Sequence, residues 1–500
     1  MKPILLALLT LTPTQASTTC ESLAQLPLPN AKVTTAELIT SGTFKPPYGN
    51  EIKGLPRFCR IAATLTPTPD SDIKIELWLP ETGWNQRFQG TGNGGYAGRI
   101  GYGAIGGIKQ GFAVANTDMG LSTPPNSDAG IYTGHPERWA DWGHRATHEM
   151  TVISKLLIKA YYEAAPKHSY FTGCSTGGEQ ALMEAQRYPG DYDGILGGAA
   201  ANNRTGVHTS ILWNFVVTHK EAAAYLPAEK MPALAAAALA ACDAADGLTD
   251  GLISDPRRCK FDPAVIQCKS GDSNDCLTAP QVEAARKLYS GPVNPRTKKP
   301  IYPALPAGSE LEWGRLGPPP DKPAVAPFNP LFKWTFGADW DWHTFDFDRS
   351  YAALEKKLGA ALNATNPDLT EFRKQGHKLL VYHGWADWLV PPGEAINYRN
   401  AVLEYQKKHG QAKLNTDDYY RLFMIPGMSH CAGGPGLTRF DGLPALIDWV
   451  EKGIAPESIV ATGAKLKRPV CPYPAEARYK GTGSTDDAAN FTCVAPAAKK

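Results

Sequence analysis

The pentapeptide Gly173-Cys174-Ser175-Thr176-Gly177 restricts this chain more than any other stretch. It is a G-x-S-x-G pattern, in which a serine sits on a sharp turn between a strand and a helix. The β-prone residues Ser169-Tyr170-Phe171-Thr172 precede it. A helix-like run follows through Glu179, Ala181, Leu182, Met183 and Ala185, closed by Pro189-Gly190. Such a turn exposes the serine Oγ and aims the next N–H into the same space. Side chains at the flanking glycines would collide with it. The pentapeptide alone recurs by chance in a chain with 48 glycines. Its weight rests on the strand-to-helix context and on partners found downstream.

Two further strand ends supply those partners. An apolar strand over 378–383 runs into His383-Gly384-Trp385-Ala386-Asp387, and one over 420–425 runs into Pro426-Gly427-Met428-Ser429-His430-Cys431. Open α/β sheets place their sites at the carboxyl ends of strands. The order Ser175, Asp387, His430 is that of an α/β-hydrolase. A serine hydroxyl needs an imidazole to take its proton, and the imidazole needs a carboxylate to hold its tautomer and stabilise its cation. The oxyanion needs preorganised donors, placed here at Thr176 and at Gly94 or Gly95. The glycine-rich stretch 90–95 lacks a following Gly-Lys-Ser/Thr and complete dinucleotide spacing, so it is not read as a phosphate cradle. Taken singly, Ser175 reads as a helix cap, Asp387 as a turn former and His430 as a loop histidine or metal ligand. Those readings weaken together, because three strand-end motifs occur in the required order. His144, His148, His343, His377 and His383 lack such placement and are read as structural.

Charge and cysteines set the compartment. The formal net charge of +2 gives no reason to expect a nucleic-acid partner, and no apolar run in the mature chain is long enough to span a membrane. Residues 1–16 read as a signal peptide: Lys2, an apolar run over 4–11, then the small residues of Thr14-Gln15-Ala16. Ten cysteines behind such a segment imply disulfides and an oxidising compartment. Connectivity does not follow from sequence. Locality favours Cys242 with Cys259, Cys268 with Cys276, Cys471 with Cys493 and Cys20 with Cys59, which leaves Cys174 and Cys431 beside the proposed nucleophile and base.

Along the chain, strands are expected over 73–79, 112–118 and 193–198, and a long helix over 139–162 with Met150, Ile153, Leu156 and Leu157 on one face. From 202 to 366 the α/β rhythm is lost. Ala-rich helix, Pro-rich loops and clustered aromatics replace it. This segment is read as a lid inserted into a catalytic domain formed by 17–201 and 367–500.

At this point the motifs become recognisable. Gly-Cys-Ser-x-Gly-Gly, Gly-Trp-Ala-Asp and Pro-Gly-Met-x-His-Cys-x-Gly-Gly-Pro-Gly resemble those of the tannase and feruloyl esterase family over nearly the whole mature chain. The resemblance implies an α/β-hydrolase fold with a large lid, a catalytic Ser175, Asp387 and His430, and a Cys174–Cys431 disulfide between nucleophile and base. It implies oxyanion donors at Gly95 and Thr176. It also implies a structural calcium ion in the lid, held by the Asp243, Asp246 and Asp250 side chains and the Leu248 and Leu252 carbonyls. Three carboxylates within eight residues repel one another unless solvated or bound to a cation, although the spacing is not an EF-hand's. The family also contains mono(2-hydroxyethyl) terephthalate hydrolase, whose lid carries an arginine for a free carboxylate. No counterpart of that arginine aligns here.

The sequence therefore leads to a secreted serine carboxylesterase, periplasmic in a Gram-negative source. It is expected to act on aromatic, feruloyl-type esters of plant cell-wall or polyphenol origin through an acyl-enzyme on Ser175. Lid aromatics such as Trp313, Phe332, Trp334, Phe336, Trp340 and Trp342 are expected to supply some of the acid pocket. The alternatives are a galloyl esterase, a terephthalate-monoester hydrolase and, outside enzymes, a calcium-dependent carbohydrate-binding protein.

Overall fold

The computed structural model describes residues 18–121, 132–319, 322 and 326–495. The expected signal peptide lies outside them. A nine-stranded sheet organises the chain. Its strands are β1 (Ala31–Ile39), β2 (Phe58–Leu65), β3 (Ile73–Pro80), β4 (Arg87–Thr91), β5 (Ala113–Thr117), β6 (His168–Cys174), β7 (Gly194–Gly198), β8 (Lys378–Gly384) and β9 (Tyr420–Ile425). They lie in the order β1-β2-β3-β5-β4-β6-β7-β8-β9. The pairs from β1 to β5 are antiparallel, and those from β5 through β9 are parallel.

Helices cover both faces, as the parallel part of such a sheet requires. One face packs on α1 (Ala146–Tyr162), α2 (Thr176–Arg187) and α4 (Gly393–Lys408), through Met150, Ile153, Leu157, Leu182, Tyr398 and Val402. The other packs on α5 (Leu443–Lys452), through Leu446 and Trp449. Each such side chain taken out of water contributes about 1.5–3 kcal/mol. Strand β3 buries Glu76 along with its apolar residues, held by Arg60, Trp78 Nε1 and Tyr102 Oη. One expectation changes here. Leu156 points outward at 40% exposure, and the helix expected over 139–162 is instead a short α-helix (Pro136–Ala140), a π-turn (Asp141–Arg145) and α1. The π-turn advances the register, which an even 3.6-residue period cannot anticipate.

Between β7 and β8 the described residues add no strand to this sheet. They form helices that include α3 (Arg204–His219). Part of this segment has its own core around Leu234, Val282, Leu288 and Trp313. Another part packs on the sheet domain, with Phe332, Trp334 and Leu358 clustered against Met119, Trp139 and Trp142.

Candidate active site

Strand β6 ends at Cys174 and α2 begins at Thr176, so Ser175 occupies the turn between them. Its backbone has φ 65° and ψ −117°, a conformation that a side-chain-bearing residue adopts only under constraint. The surroundings supply that constraint. Ser175 N–H donates to Gly198 O at 2.9 Å, and Ser175 O accepts from Gly178 N–H at 3.0 Å and Ala201 N–H at 3.2 Å. The loop after β4 lies against this turn. A Cβ on Gly92 would stand 2.5 Å from Gly177 Cα, so both must be glycine for the backbones to meet. Gly177 N–H donates to Asn93 O at 2.7 Å, and Thr176 Oγ1 donates to Gly95 O at 2.7 Å. The two expected oxyanion donors, Gly95 and Thr176, are thereby clamped together beside the serine.

Asp387 follows β8 and His430 follows β9. His430 Nδ1 donates to Asp387 Oδ2 at 2.8 Å, which leaves Nε2 for the nucleophile. Asp387 is fully buried, and its Oδ1 accepts from Leu389 N–H and Val390 N–H, both at 2.9 Å. Burial opposes its charge, but the cationic form of His430 and the histidine hydrogen bonds prevail and hold the carboxyl well below its usual range. Burial likewise pushes His430 down, yet the Asp387 carboxylate outweighs it and leaves the imidazole above its ordinary value.

A residue read as structural belongs here. His383 Nε2 lies 2.7 Å from Val390 O and 3.2 Å from Asp387 Oδ2. Both are acceptors, so Nε2 carries the proton, and His383 supports the same carboxylate oxygen that His430 meets. The signal was the four-residue spacing to Asp387 within one strand-end motif.

Five disulfides join Cys20 to Cys59, Cys174 to Cys431, Cys242 to Cys259, Cys268 to Cys276 and Cys471 to Cys493. The second sets the Cα atoms of Cys174 and Cys431 5.9 Å apart, binding the serine turn to the histidine loop. Ser175 and His430 line one cavity of about 310 Å³, together with Gly95, Thr176, Arg204, Val207, His208, Ile211, Phe328, Leu389 and Val390. No hydrogen bond joins Ser175 Oγ to His430 among the described residues; in a free site this contact is commonly long and tightens with substrate. The expected lid aromatics do not line the cavity. Trp313, Phe332 and Trp334 are buried in the segment's cores, Trp340 stacks on Phe332 and Trp342 meets Phe215 edge-on. Phe336 is partly exposed. Phe328 stands in the wall instead.

The acidic loop is well ordered around its own backbone. Asp243 accepts from the N–H groups of Asp250, Gly251 and Leu252, and Asp246 accepts from Leu248 N–H and Ser254 Oγ. Asp250 Oδ2 pairs with Arg468 at 2.7 Å, while its Oδ1 is buried without a partner. Burial and the neighbouring carboxylates push Asp250 up, against the pull of Arg468. An orphaned carboxylate oxygen among like charges suits a hard cation. The three carboxylates are not drawn into a closed set. Among the described residues the only three metal-capable groups within 4.8 Å of one another are Cys268, Asp272 and Cys276, and those cysteines are disulfide-bonded.

A mixed sheet covered by helices, with a serine on the turn after a central strand and a His–Asp pair at the next strand ends, defines an α/β-hydrolase. Within that class the chain belongs to the tannase and feruloyl esterase family, whose model matches residues 59–322 and 332–494. It is a carboxylic ester hydrolase of that family. An uncharacterized esterase of Xanthomonas campestris pv. campestris is 38% identical, over 97% of this chain and 92% of the relative. A probable feruloyl esterase of Arthroderma benhamiae is 34% identical, over 87% of this chain and 85% of the relative. Among solved structures, feruloyl esterase B from Aspergillus oryzae superposes with a TM-score of 0.85 at 28% identity, covering 95% of this chain and 99% of that one.

Proposed function

We propose that this chain is a secreted serine carboxylesterase that cleaves aromatic esters of the hydroxycinnamoyl type. The carrying observation is the shared cavity of Ser175 and His430, with His430 Nδ1 on Asp387 at 2.8 Å. Ser175 Oγ attacks the ester carbonyl while His430 Nε2 takes its proton. The carbonyl oxygen becomes an oxyanion between the N–H groups of Gly95 and Thr176. Collapse breaks the C–O bond, and the alcohol leaves with the proton from His430. Water, deprotonated by the same nitrogen, then frees the acid and restores Ser175.

The segment 202–366 acts as a lid in this reading, since α3 and Phe328 wall the cavity from outside the sheet. The Asp243, Asp246 and Asp250 side chains, with the Leu248 and Leu252 carbonyls, would hold a structural calcium ion that neutralises the loop's charge. Five disulfides and the N-terminal sequence support secretion. No helix among the described residues is long and apolar enough to cross a membrane.

Hydrolysis of methyl ferulate, caffeate, p-coumarate and gallate, beside a terephthalate monoester, tests the reading. The expected result is a higher kcat/KM for ferulate than for the terephthalate monoester. A ratio below one overturns the hydroxycinnamoyl preference.

A further inference from the structure

The cavity over Ser175 is apolar except for its catalytic groups and two side chains one turn apart on α3, Arg204 and His208. Both are nine-tenths or more buried: Arg204 is 3% exposed and His208 2%. Neither is satisfied within the protein. Arg204 Nη2 pairs with Glu179 Oε2 at 2.5 Å, and its guanidinium lies 4.8 Å above the Trp142 ring. Its Nε is buried with no partner. Its Nη1 bonds to no protein group among the described residues, and the side chain belongs to the cavity lining. His208 Nδ1 lies 3.2 Å from Tyr96 Oη, while Nε2 bonds to no protein group among the described residues and the ring belongs to the same lining. These two nitrogens meet only what the cavity holds, and a ligand that displaces water there without bonding to them leaves each unpaired at a cost of about 1–3 kcal/mol.

We propose that Arg204 and His208 are specificity residues that read a phenolic hydroxyl on the ring of the bound acid. This rests on the aromatic esterase reading above and names the groups that select the acid. Burial keeps His208 well below its ordinary value, so it is neutral. Its tautomer depends on Tyr96 Oη, which accepts from Leu331 N–H and has one proton for either Phe328 O or His208 Nδ1. In the first case Nε2 presents a lone pair; in the second it carries a proton. A phenol donates and accepts, so it satisfies Nε2 in either case while taking a hydrogen bond from Arg204 Nη1. A carboxylate satisfies only the second. Glu179 already balances the charge of Arg204, which further favours a neutral hydroxyl over an anion. The remaining walls, Val207, Ile211, Leu389 and Phe328, contact the ring itself.

The test compares methyl p-coumarate with methyl cinnamate, which differ by that hydroxyl alone, in wild type, Arg204→Met and His208→Leu at pH 8. Glu179 is pushed up to about 7 by burial against the pull of Arg204, so it is ionised there. Wild type should favour p-coumarate in kcat/KM by about tenfold or more, the worth of one good hydrogen bond. Each variant should lower that ratio by about tenfold. Arg204→Met leaves Glu179 unpaired; if it fails to fold, Arg204→Met/Glu179→Gln replaces it, and His208→Leu remains an independent arm. Ratios within about threefold of wild type in both variants overturn the proposal, taking RT ln 3 as the margin. So does a wild-type preference for a terephthalate monoester over p-coumarate that Arg204→Met abolishes, since the pair would then be reading an anion. Absence of turnover on every aromatic ester, with turnover of short aliphatic esters retained, overturns the aromatic reading itself.

Discussion

His430 is pulled two ways. Burial disfavours its cation, and Asp387 at 2.8 Å favours it more strongly. A general base must be neutral to accept the serine proton, and its raised pKa delays that as pH rises. The acid limb of kcat/KM against pH should therefore lie above about 6.5, the ordinary histidine value. Asp387→Asn should move it below that value and lower kcat on the order of ten-thousandfold. A wild-type limb at or below the ordinary value would contradict this electrostatic assignment. Ser175, Asp387 and His430 were legible in sequence because each sits in a strand-end motif whose chemistry is one-dimensional: order and neighbours suffice. Arg204 and His208 were not. Their role depends on partners that are missing, and an unfilled hydrogen bond leaves no trace in sequence.

At the scale of elements, strands were read closely: the expected 420–425 is β9, and 378–383 is β8 with Gly384 added. Apolar β-prone runs bounded by turns are strong signals. The helix expected before β6 differs at its start, where a π-turn interrupts it, and at Leu156, which the 3.6-residue period sets at the flank of the face formed by Met150, Ile153 and Leu157. Of the aromatics of 202–366, Phe328 meets the cavity while Trp313, Phe332, Trp334, Phe336, Trp340 and Trp342 do not, since composition does not say which core a ring fills. The acidic loop is where an element-scale prediction belongs. If calcium neutralises it, Asp246→Ala should lower Tm and blunt the fall in Tm caused by a chelator, while kcat on a small ester stays near wild type. Unchanged melting on chelation, together with no ion by metal analysis, would remove calcium from the account.

For the whole molecule, the site is an assembly of distant pieces. The Cys174–Cys431 bond spans 257 residues and joins turns carried by β6 and β9. The loop after β4 brings Gly95 to Thr176, and α3 closes the cavity from the segment between β7 and β8. The class of fold was readable from three motifs in order, whereas the shape of the acid pocket emerges only when that segment folds over them. Membership of a family of carboxylic ester hydrolases, with Ser175 and His430 lining one cavity, speaks against a carbohydrate-binding protein without catalysis. The central claim is that Ser175 is the nucleophile of an aromatic esterase. The measurement that bears on it most directly is kcat/KM for ferulate release from methyl ferulate by wild type and by Ser175→Ala, with both shown folded by equal Tm. The account predicts measurable wild-type turnover and a loss on the order of a thousandfold or more in the variant. Retention of even about a tenth of wild-type activity by Ser175→Ala, a loss of about 1.4 kcal/mol or less in transition-state stabilisation, would contradict it.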